Sequence, residues 1–332
     1  MNRQVSIERK GDLLTETYKT CKIQPCEDYH AFRTLSKTDK LDIYKACANK
    51  IFPSKYFAEE DLFCGYTLPI HCLAFESYYG YISWCDFETN VRKFPKIVAE
   101  FALNEADGHE GWVPLHFLAD CGMPLDVARF LGDICSNPIA ARDIKGQTPI
   151  HFAANNGHEG MLELLVETLP IGLHVVDDEG EMPFDRAANE YTRAAIMRGL
   201  IKGCCHRSAP RINATTMHPF RVMMLEAANG NCTWEDIEEV LNNMPNNRTF
   251  LSYALETNDG FHNDCSVNIA LANRAPTRTI LAFARLMNAC DINRDTWFNV
   301  ETRLSCENSI CAAKLSMNFF IACPTAMDRN WI

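Results

Sequence analysis

Three histidines recur at matching places in the sequence and are the first candidates for chemistry. His71, His116 and His151 each follow a Pro-Ile or Pro-Leu pair, and the last two lie 35 residues apart. Imidazole nitrogen is a common ligand of zinc and other transition metals, so a repeated histidine suggests a shared metal site. Whether the three rings can meet depends on the elements that carry them.

A second candidate is the run Cys204-Cys205-His206, which combines a nucleophile or metal ligand with a neighbouring base. Adjacent side chains on a helix diverge by about 100°, and no Cys-x-x-Cys pair elsewhere could complete a metal site. The sequence also lacks a Walker loop, a Gly-x-Ser-x-Gly elbow and a His-Glu-x-x-His motif. We therefore expect ordinary thiols at a helix end, although a triad assembled from distant residues would leave no local motif.

The elements that carry the histidines are repeats of about 35 residues. Thr148-Pro149-Ile150-His151 opens the clearest unit, Val113-Pro114-Leu115-His116 lies 35 residues earlier, and Met182-Pro183-Phe184-Asp185 lies 34 residues later. In the clearest unit Gly146 suits a turn, Pro149 suits the first position of a helix, and Gly157 suits the end of that helix. Such a period predicts stacked helical pairs that cannot bury their apolar faces alone.

These residues carry a family resemblance. The segment 143–166 closely resembles the ankyrin-repeat pattern Asp-x-x-Gly-x-Thr-Pro-Leu-His-x-Ala-Ala-x-x-Gly, and the resemblance extends over residues 64–202. A looser copy at 67–74 has Tyr66 in place of the glycine and about ten extra residues before the next copy. The resemblance implies an all-α ankyrin-repeat solenoid of helix-turn-helix repeats with short turns or hairpins, and degenerate helical repeats toward the C-terminus.

The repeat architecture decides between the two interpretations of the histidines. Packed helices lie about 8–10 Å apart, whereas zinc needs nitrogens at about 2.0–2.1 Å, so histidines of successive repeats cannot share an ion. In the ankyrin family this position ties the turn to the helix by hydrogen bonds, and Asp185 at the same place suits that structural role. We predict no metal site and no cofactor.

The chain is predicted to have three regions. Residues 1–60 form an N-terminal helical cap region, residues 61–202 the repeat array, and residues 203–332 a C-terminal helical region. The last region contains helix pairs at 220–243 and 267–288, which we interpret as degenerate repeats, with an unrelated helical lobe as the alternative. A further helix at 304–322 could cover the end of the array.

The resemblance implies that partners contact the turn tips and the first helices of the repeats. The residues that match these positions are His109, Glu110, Trp112, Asp120, Cys121, Ile144, Lys145, Gln147, Asn155, Asn156, Asp178, Glu179, Glu181, Asn189 and Glu190. Their sum is acidic. We therefore predict a protein partner with a basic patch.

An aromatic insertion, residues 76–90, is a further candidate surface. It contains five rings, Tyr78, Tyr79, Tyr81, Trp84 and Phe87, of the types enriched at interfaces. The competing interpretation is that the rings pack over their own repeat or the N-terminal region. We favour packing, because five exposed rings would reduce solubility.

Composition narrows the function further. The 332 residues carry a formal net charge of −11, which disfavours binding to nucleic acid or anionic membranes. The sequence shows no apolar run of membrane-spanning length and no signal peptide, so we expect a cytoplasmic or nuclear protein. The 16 cysteines are accordingly expected to be reduced, many of them buried.

Three functional hypotheses follow. The first is a non-enzymatic scaffold or adaptor that binds a protein partner through the ankyrin turn tips and the concave helix face. The second is a substrate adaptor of a larger complex such as a ubiquitin ligase. The third is an enzyme with its site in residues 211–332 or in the aromatic insertion. The oligomeric state is left open.

Overall fold

The computed structural model describes residues 32–51, 69–107, 110–122, 124–134, 141–205, 212–213, 216, 218–256 and 266–289. Helices make up the regular structure of these residues, and no β-strand occurs among them. The predicted all-α fold class is therefore confirmed.

Fourteen α-helices lie within the described residues. They are α1 (Lys37–Ile51), α2 (Pro69–Tyr78), α3 (Trp84–Val91), α4 (Lys96–Asn104), α5 (Pro114–Cys121), α6 (Leu125–Ile134), α7 (Pro149–Asn155), α8 (Glu159–Thr168), α9 (Glu190–Cys204), α10 (Pro219–Ala228), α11 (Trp234–Asn243), α12 (Arg248–Leu251), α13 (Ser266–Ala272) and α14 (Thr277–Ala289). A 3-10 helix, Pro170–His174, follows α8, and a π-helical turn, Ser252–Glu256, follows α12.

Proline and glycine set the ends of the helices that open the repeats. Pro69, Pro114, Pro149 and Pro219 each occupy the first position of a helix, where the missing N–H needs no partner. The glycine after such a helix has a positive φ, for example +72° at Gly157, which reverses the chain into the second helix. The local sequence thus specifies where each helical pair begins and turns.

The chain divides into two compact units, Met1–Phe152 and Ala153–Ile332. In the first unit α2 packs against α5 and α3 against α6, which is the first-to-first and second-to-second stacking of repeats. The extra residues predicted after the first repeat form an additional helix, α4, which packs against α1, α5 and α6. Helix α1 lies within residues 1–60, the predicted N-terminal helical cap region.

Among the described helices of the second unit, α8 and α9 have the most extensive contact. Gly199 of α9 lies so close to α8 that an added Cβ would be 2.6 Å from the Glu163 carbonyl oxygen, so only glycine permits this packing. Arg198, whose side chain is 3% exposed, binds Glu163 at 2.9 Å across the same contact. Charge pairing and the missing Cβ together fix these two helices.

The third repeat differs from its prediction. The sequence frame predicts a first helix from Pro183 through Ala188, but these residues form only a turn, and α9 begins at Glu190. Asn189 explains the difference, since its extended backbone and its side chain, which accepts the N–H of Thr192, cap α9. A capping residue at this place ends the turn and starts the next helix.

The helix pairs expected after residue 203 are present. α10 and α11 form one pair and α13 and α14 the next, with α10 packed on α13 and α11 on α14. The predicted helix at 304–322 lies outside the described residues, and the predicted domain boundaries at 60/61 and 202/203 remain predictions. Within the part of the chain that the structure describes, no helix is long and apolar enough to cross a membrane.

Candidate binding surface

Aspartates build the turns at which the predicted binding residues lie. In the first unit Asp107 Oδ1 accepts the N–H groups of Glu110 and Gly111 at 2.9 and 2.7 Å. Asp143 Oδ1 accepts those of Lys145 and Gln147 at 2.9 and 2.7 Å. Both aspartates are buried, so each carboxylate serves the backbone of its turn.

Successive turns of the first unit are joined directly. The Ile144 N–H donates to the Glu110 carbonyl at 3.0 Å. Gly111, at φ +73°, lies against this bond, and an added Cβ would be 3.2 Å from the Ile144 nitrogen. The glycine therefore provides both the positive φ and the space for the next turn.

The turn of the second unit is built in the same way but carries more charge. Asp177 Oδ1 accepts the N–H groups of Glu179 and Glu181 at 3.0 and 2.9 Å. Arg186 binds Asp177 and Glu179 at 2.6 Å and Glu181 at 2.9 Å. Burial opposes ionisation of Asp177, but the backbone donors and Arg186 hold its pKa below the usual range.

The repeated histidine fastens each turn to its helix. His116 Nδ1 accepts the Val113 N–H at 3.1 Å, and Nε2 lies 3.2 Å from the Gln147 carbonyl, to which it donates. His151 Nδ1 accepts the Thr148 N–H at 3.1 Å. His71 Nε2 lies 2.8 Å from the Glu105 carbonyl. The rings of His71 and His116 thus reach carbonyl groups more than 30 residues further along the chain, which is a structural role, as the sequence analysis predicts.

Two of these histidines are held neutral. His71 and His116 are fully buried, and burial, partly offset by the carbonyl partners, lowers the pKa of each to about 4. In the second unit Asp185 replaces the histidine and its carboxylate accepts the Met182 N–H at 3.0 Å. A carboxylate oxygen therefore accepts the same backbone hydrogen bond that the histidine nitrogen accepts in the first unit.

Comparison with known proteins agrees with this geometry. A family model described as ankyrin repeats (many copies) matches residues 136–187. The chain contains ankyrin repeats. Rabankyrin-5 of Mus musculus is 34% identical over 80 residues and Rabankyrin-5 of Homo sapiens 35% identical over 80 residues. The matched segment is 24% of this chain and 7% of the length of either relative.

The predicted contact residues of the first unit divide into exposed and half-buried groups. Ile144, 61% exposed, and Lys145 project from their turn, whereas Trp112 is half-buried against Phe117 and Phe152. Gln147 uses its backbone in the turn. His109 lies outside the described residues.

In the second unit, Asn155, Asn156, Asp178 and Glu179 are exposed, and Glu181 is partly exposed. Asn189 and Glu190 were predicted to lie on the first helix of this repeat. The structure places them at the start of α9 instead. The Asn189 side chain is occupied as a cap, and Glu190 binds Arg193 at 2.6 Å. Arg186 binds both Glu179 and Glu181, and the sequence analysis did not identify it.

The aromatic insertion is split between core and surface. Phe87 is fully buried and Trp84 packs on it, with ring centroids 5.5 Å apart, so packing is the correct interpretation for these two. It is wrong for Tyr79 and Tyr81, which are 57% and 76% exposed. Phe75 and Tyr78 lie three positions apart on α2, and Tyr79 follows the last residue of that helix.

The cysteine candidates have no features of a reactive site. Cys204 and Cys205 are buried, and burial, followed by neighbouring carboxylates, raises the pKa of Cys204 to about 11 and of Cys205 to about 12. His206 lies outside the described residues. Both cysteines thus behave as small apolar side chains at the end of α9.

A cavity of about 550 Å³ lies beside α1 and α4 in the first unit. Arg33 and Glu100 face each other across its lining at 3.9 Å, and Lys37 binds the lining residue Glu105 at 2.5 Å. Both pairs are at the surface, with the Arg33 side chain 62% and the Lys37 side chain 69% exposed. None of the predicted contact residues lines the cavity.

Proposed function

We propose that this protein is a non-enzymatic scaffold or adaptor that binds a partner protein through its ankyrin turn tips and first helices. Ankyrin repeats suggest a protein-interaction role, and the proposal adds the contact residues and the chemistry of the partner. The cytoplasmic or nuclear location expected from the sequence is part of it.

One observation carries the proposal: the turns are built alike, with their backbones tied by the same hydrogen bonds, while the side chains that they expose differ. Asp107, Asp143 and Asp177 each tie two or more backbone N–H groups, so the loop has little freedom left to lose on binding. The exposed residues next to these ties include Ile144, Lys145 and Asp178. Fixed backbones with variable tips suit specific recognition of another protein.

Charge supports a basic partner. Asp178 and Glu179 are exposed at the second-unit turn. The single positive charge of Arg186 faces the carboxylates of Asp177, Glu179 and Glu181 there, so the turn keeps a net negative charge. The whole chain carries a net charge of −11. A basic patch on the partner would be attracted over about 10 Å at 0.1 M salt, which mainly raises the association rate.

The test reverses charge at the predicted contact surface. Asp178→Lys combined with Asn156→Arg changes two exposed residues, and capture of partners from native lysate is compared with the wild type by quantitative mass spectrometry. We expect loss of specific partners, and elution of those partners from the wild type as the salt concentration rises. The matched control is Glu167→Lys with Thr168→Lys, which makes the same change of charge on exposed residues of α8.

The outcomes separate the hypotheses. Partners lost with both variants would indicate a general charge effect rather than a surface on the turns. Partners retained by both variants, with equal melting temperatures, would contradict the proposal. Binding that does not depend on salt would contradict the basic patch while leaving the scaffold role in place.

A further inference from the structure

A row of aromatic rings runs along the first unit. Ring centroids are 6.3 Å apart between Tyr81 and Tyr79, 5.0 Å between Tyr79 and Tyr78, and 6.0 Å between Tyr78 and Phe117. Trp112 continues the row 4.9 Å from Phe117. We call these five residues, together with Phe75 at 4.5 Å from Tyr79, the aromatic row.

The row has a buried floor and an exposed end. Phe117 is 3% exposed and packs under Phe75 and Tyr78, whereas Tyr79 and Tyr81 are 57% and 76% exposed. Tyr79 and Tyr81 are stacked on one another at an interplanar angle of 29°. The half-buried rings of Phe75 and Tyr78 contact Tyr79, and Tyr79 contacts Tyr81, so the exposed pair rests on packed rings.

A second hairpin in the same chain shows that the exposed rings are not needed for folding. Residues 219–238 repeat the plan of residues 69–88, with Pro219, Glu226, Gly230, Trp234 and Asp236 in register with Pro69, Glu76, Gly80, Trp84 and Asp86. Gly230 and Gly80 have φ of +78° and +74°. The N–H groups of Asn231 and Tyr81 donate to the carbonyls of Glu226 and Glu76 at 2.9 and 2.8 Å.

At the positions of Tyr79 and Tyr81, the second hairpin has Asn229 and Asn231. The Asn231 amide donates to the Glu226 carboxylate at 2.7 Å, an ordinary surface contact. The same backbone thus forms with polar side chains. Exposed tyrosines in its place cost solubility without adding to the turn, which indicates a binding role.

Carboxylates lie beside the rings. Asp120 accepts the Tyr78 hydroxyl at 2.7 Å, and Glu76 lies in the same turn of α2 as Phe75. Burial and then the charge of Glu76 raise the pKa of the Cys72 thiol to about 11, and Asp120 acts in the same way on Cys121, whose pKa is also about 11. Asp120 therefore supplies a carboxylate in contact with the row, and Glu76 supplies another on the helix that carries Phe75 and Tyr78.

This combination selects the chemistry of a ligand. The faces of tyrosine rings attract cations, and a neighbouring carboxylate adds a charged hydrogen-bond acceptor. Arginine satisfies both, since its guanidinium stacks on a ring while its N–H groups reach a carboxylate. The exposed pair, with Phe75 and Tyr78 half-buried beside it, suits an extended segment that lays a basic side chain across the rings.

We propose that the aromatic row binds an extended basic segment of a partner protein, with an arginine or lysine head group stacked on Tyr79 and Tyr81 beside Asp120 and Glu76. The proposal rests on the proposed function and deepens it, because it gives the chemistry of one part of the partner. It also extends the site to residues that lie outside the turn tips.

The test uses a synthetic probe on the full chain. A nine-residue peptide of alternating arginine and glycine is titrated by fluorescence anisotropy against wild type and Tyr79→Asn/Tyr81→Asn, which carries the side chains of the second hairpin. A citrulline peptide of the same length removes the charge and keeps the shape. We expect the arginine peptide to bind the wild type at least about tenfold more tightly than the citrulline peptide, and the double variant to lose about tenfold in affinity.

The matched control is Tyr191→Asn, which removes a ring that is 53% exposed outside the row. It should leave the affinity unchanged, and all three proteins should have the same melting temperature. Intermolecular NOEs between arginine Hδ protons and tyrosine ring protons should be present in the wild type and absent in the double variant. This readout reports stacking directly.

Four outcomes would overturn the inference. Three of them are no binding of the arginine peptide, equal binding of the citrulline peptide, and an unchanged affinity in Tyr79→Asn/Tyr81→Asn. Self-association of the wild type that the double variant lacks would assign the row to a second copy of the chain and would also overturn it. The proposed function fails separately, since it depends on the Asp178→Lys/Asn156→Arg capture and not on this peptide.

Discussion

The two similar hairpins of this chain, residues 69–91 and residues 219–243, differ in what they show to solvent and agree in how they are built. Each ends its first helix at a glycine with positive φ and starts the second with a capping box, Ser83 with Asp86 and Thr233 with Asp236. One then exposes tyrosines and the other asparagines. The comparison separates residues that form the repeat from residues that the repeat carries.

The core of the two hairpins should give the largest effect. Phe87 and Ile237 occupy the same position, and both are fully buried. We expect Phe87→Ala to lower the free energy of unfolding by about 3–5 kcal/mol and Ile237→Ala by about 2–5 kcal/mol, because each leaves a cavity. Urea unfolding followed by tryptophan fluorescence measures both.

Tyr81→Ala serves as the control for this pair, since it removes an equally large side chain that is 76% exposed and should change stability little. A loss below about 1 kcal/mol at either buried position would show that the two hairpins are not built alike.

Acid should affect the two units differently. Burial lowers the pKa of His71 and His116 to about 4, whereas the corresponding residues of the second unit include Asp185 and Arg221. Between pH 6.5 and 4 the unfolded state then binds more protons than the folded state, so stability falls as the pH falls. Each histidine should cost about 2 kcal/mol of stability at pH 5 relative to pH 7.

Hydrogen exchange, corrected for intrinsic rates, should report this loss in α2 and α5 more than in α10 and α11. His116→Asn supplies an oxygen acceptor, as Asp185 does, and should reduce the pH dependence of the first unit. An equal loss of protection in both units would be inconsistent with the histidines as its source.

The capping boxes should give the smallest of these effects and an equal one in both hairpins. Ser83 Oγ accepts the Asp86 N–H and Thr233 Oγ1 the Asp236 N–H, each at 3.1 Å. Ser83→Ala and Thr233→Ala should each lower stability by about 1 kcal/mol, because a donor of the first turn loses its partner. Exchange of the first-turn amides of α3 and α11 measures this.

Thr89→Ala, in the middle of α3, is the reference for the caps, since its hydroxyl bonds only to the Cys85 carbonyl within the helix. If one cap mattered and the other did not, the equivalence of the two hairpins would be limited to their sequence.

Much of the fold could be predicted because its signals are local. Pro149 at a helix start, Gly157 at a helix end and the buried stripe of Leu162, Leu165 and Val166 follow from backbone geometry and helical period. The same reasoning failed at Pro183–Ala188, where Asn189 caps the next helix and shortens the first to a turn. The helix expected at Pro183–Ala188 competes with the helix that Asn189 caps. The repeat motif alone does not determine which of the two helices forms.

The candidate surface was predicted only in part, for a related reason. Turn-tip residues such as Lys145 and Asp178 follow from their place in the repeat. The pairing of Arg186 with Glu181 depends on how the chain returns after the turn, and so could not be read from the motif.

The sequence by itself determined the repeat and most of its helix boundaries, because each depends on residues a few positions apart. The structural role of the histidines followed from the family resemblance, and the structure added the carbonyl groups that His71 and His116 reach more than 30 residues away. Only the tertiary structure decided which rings of the aromatic insertion are buried. Phe87 and Tyr81 are both aromatic and lie six positions apart, yet one is in the core and the other in solvent. That difference arises from the packing of α2 and α3 against α5 and α6, helices that lie more than twenty residues away in the chain.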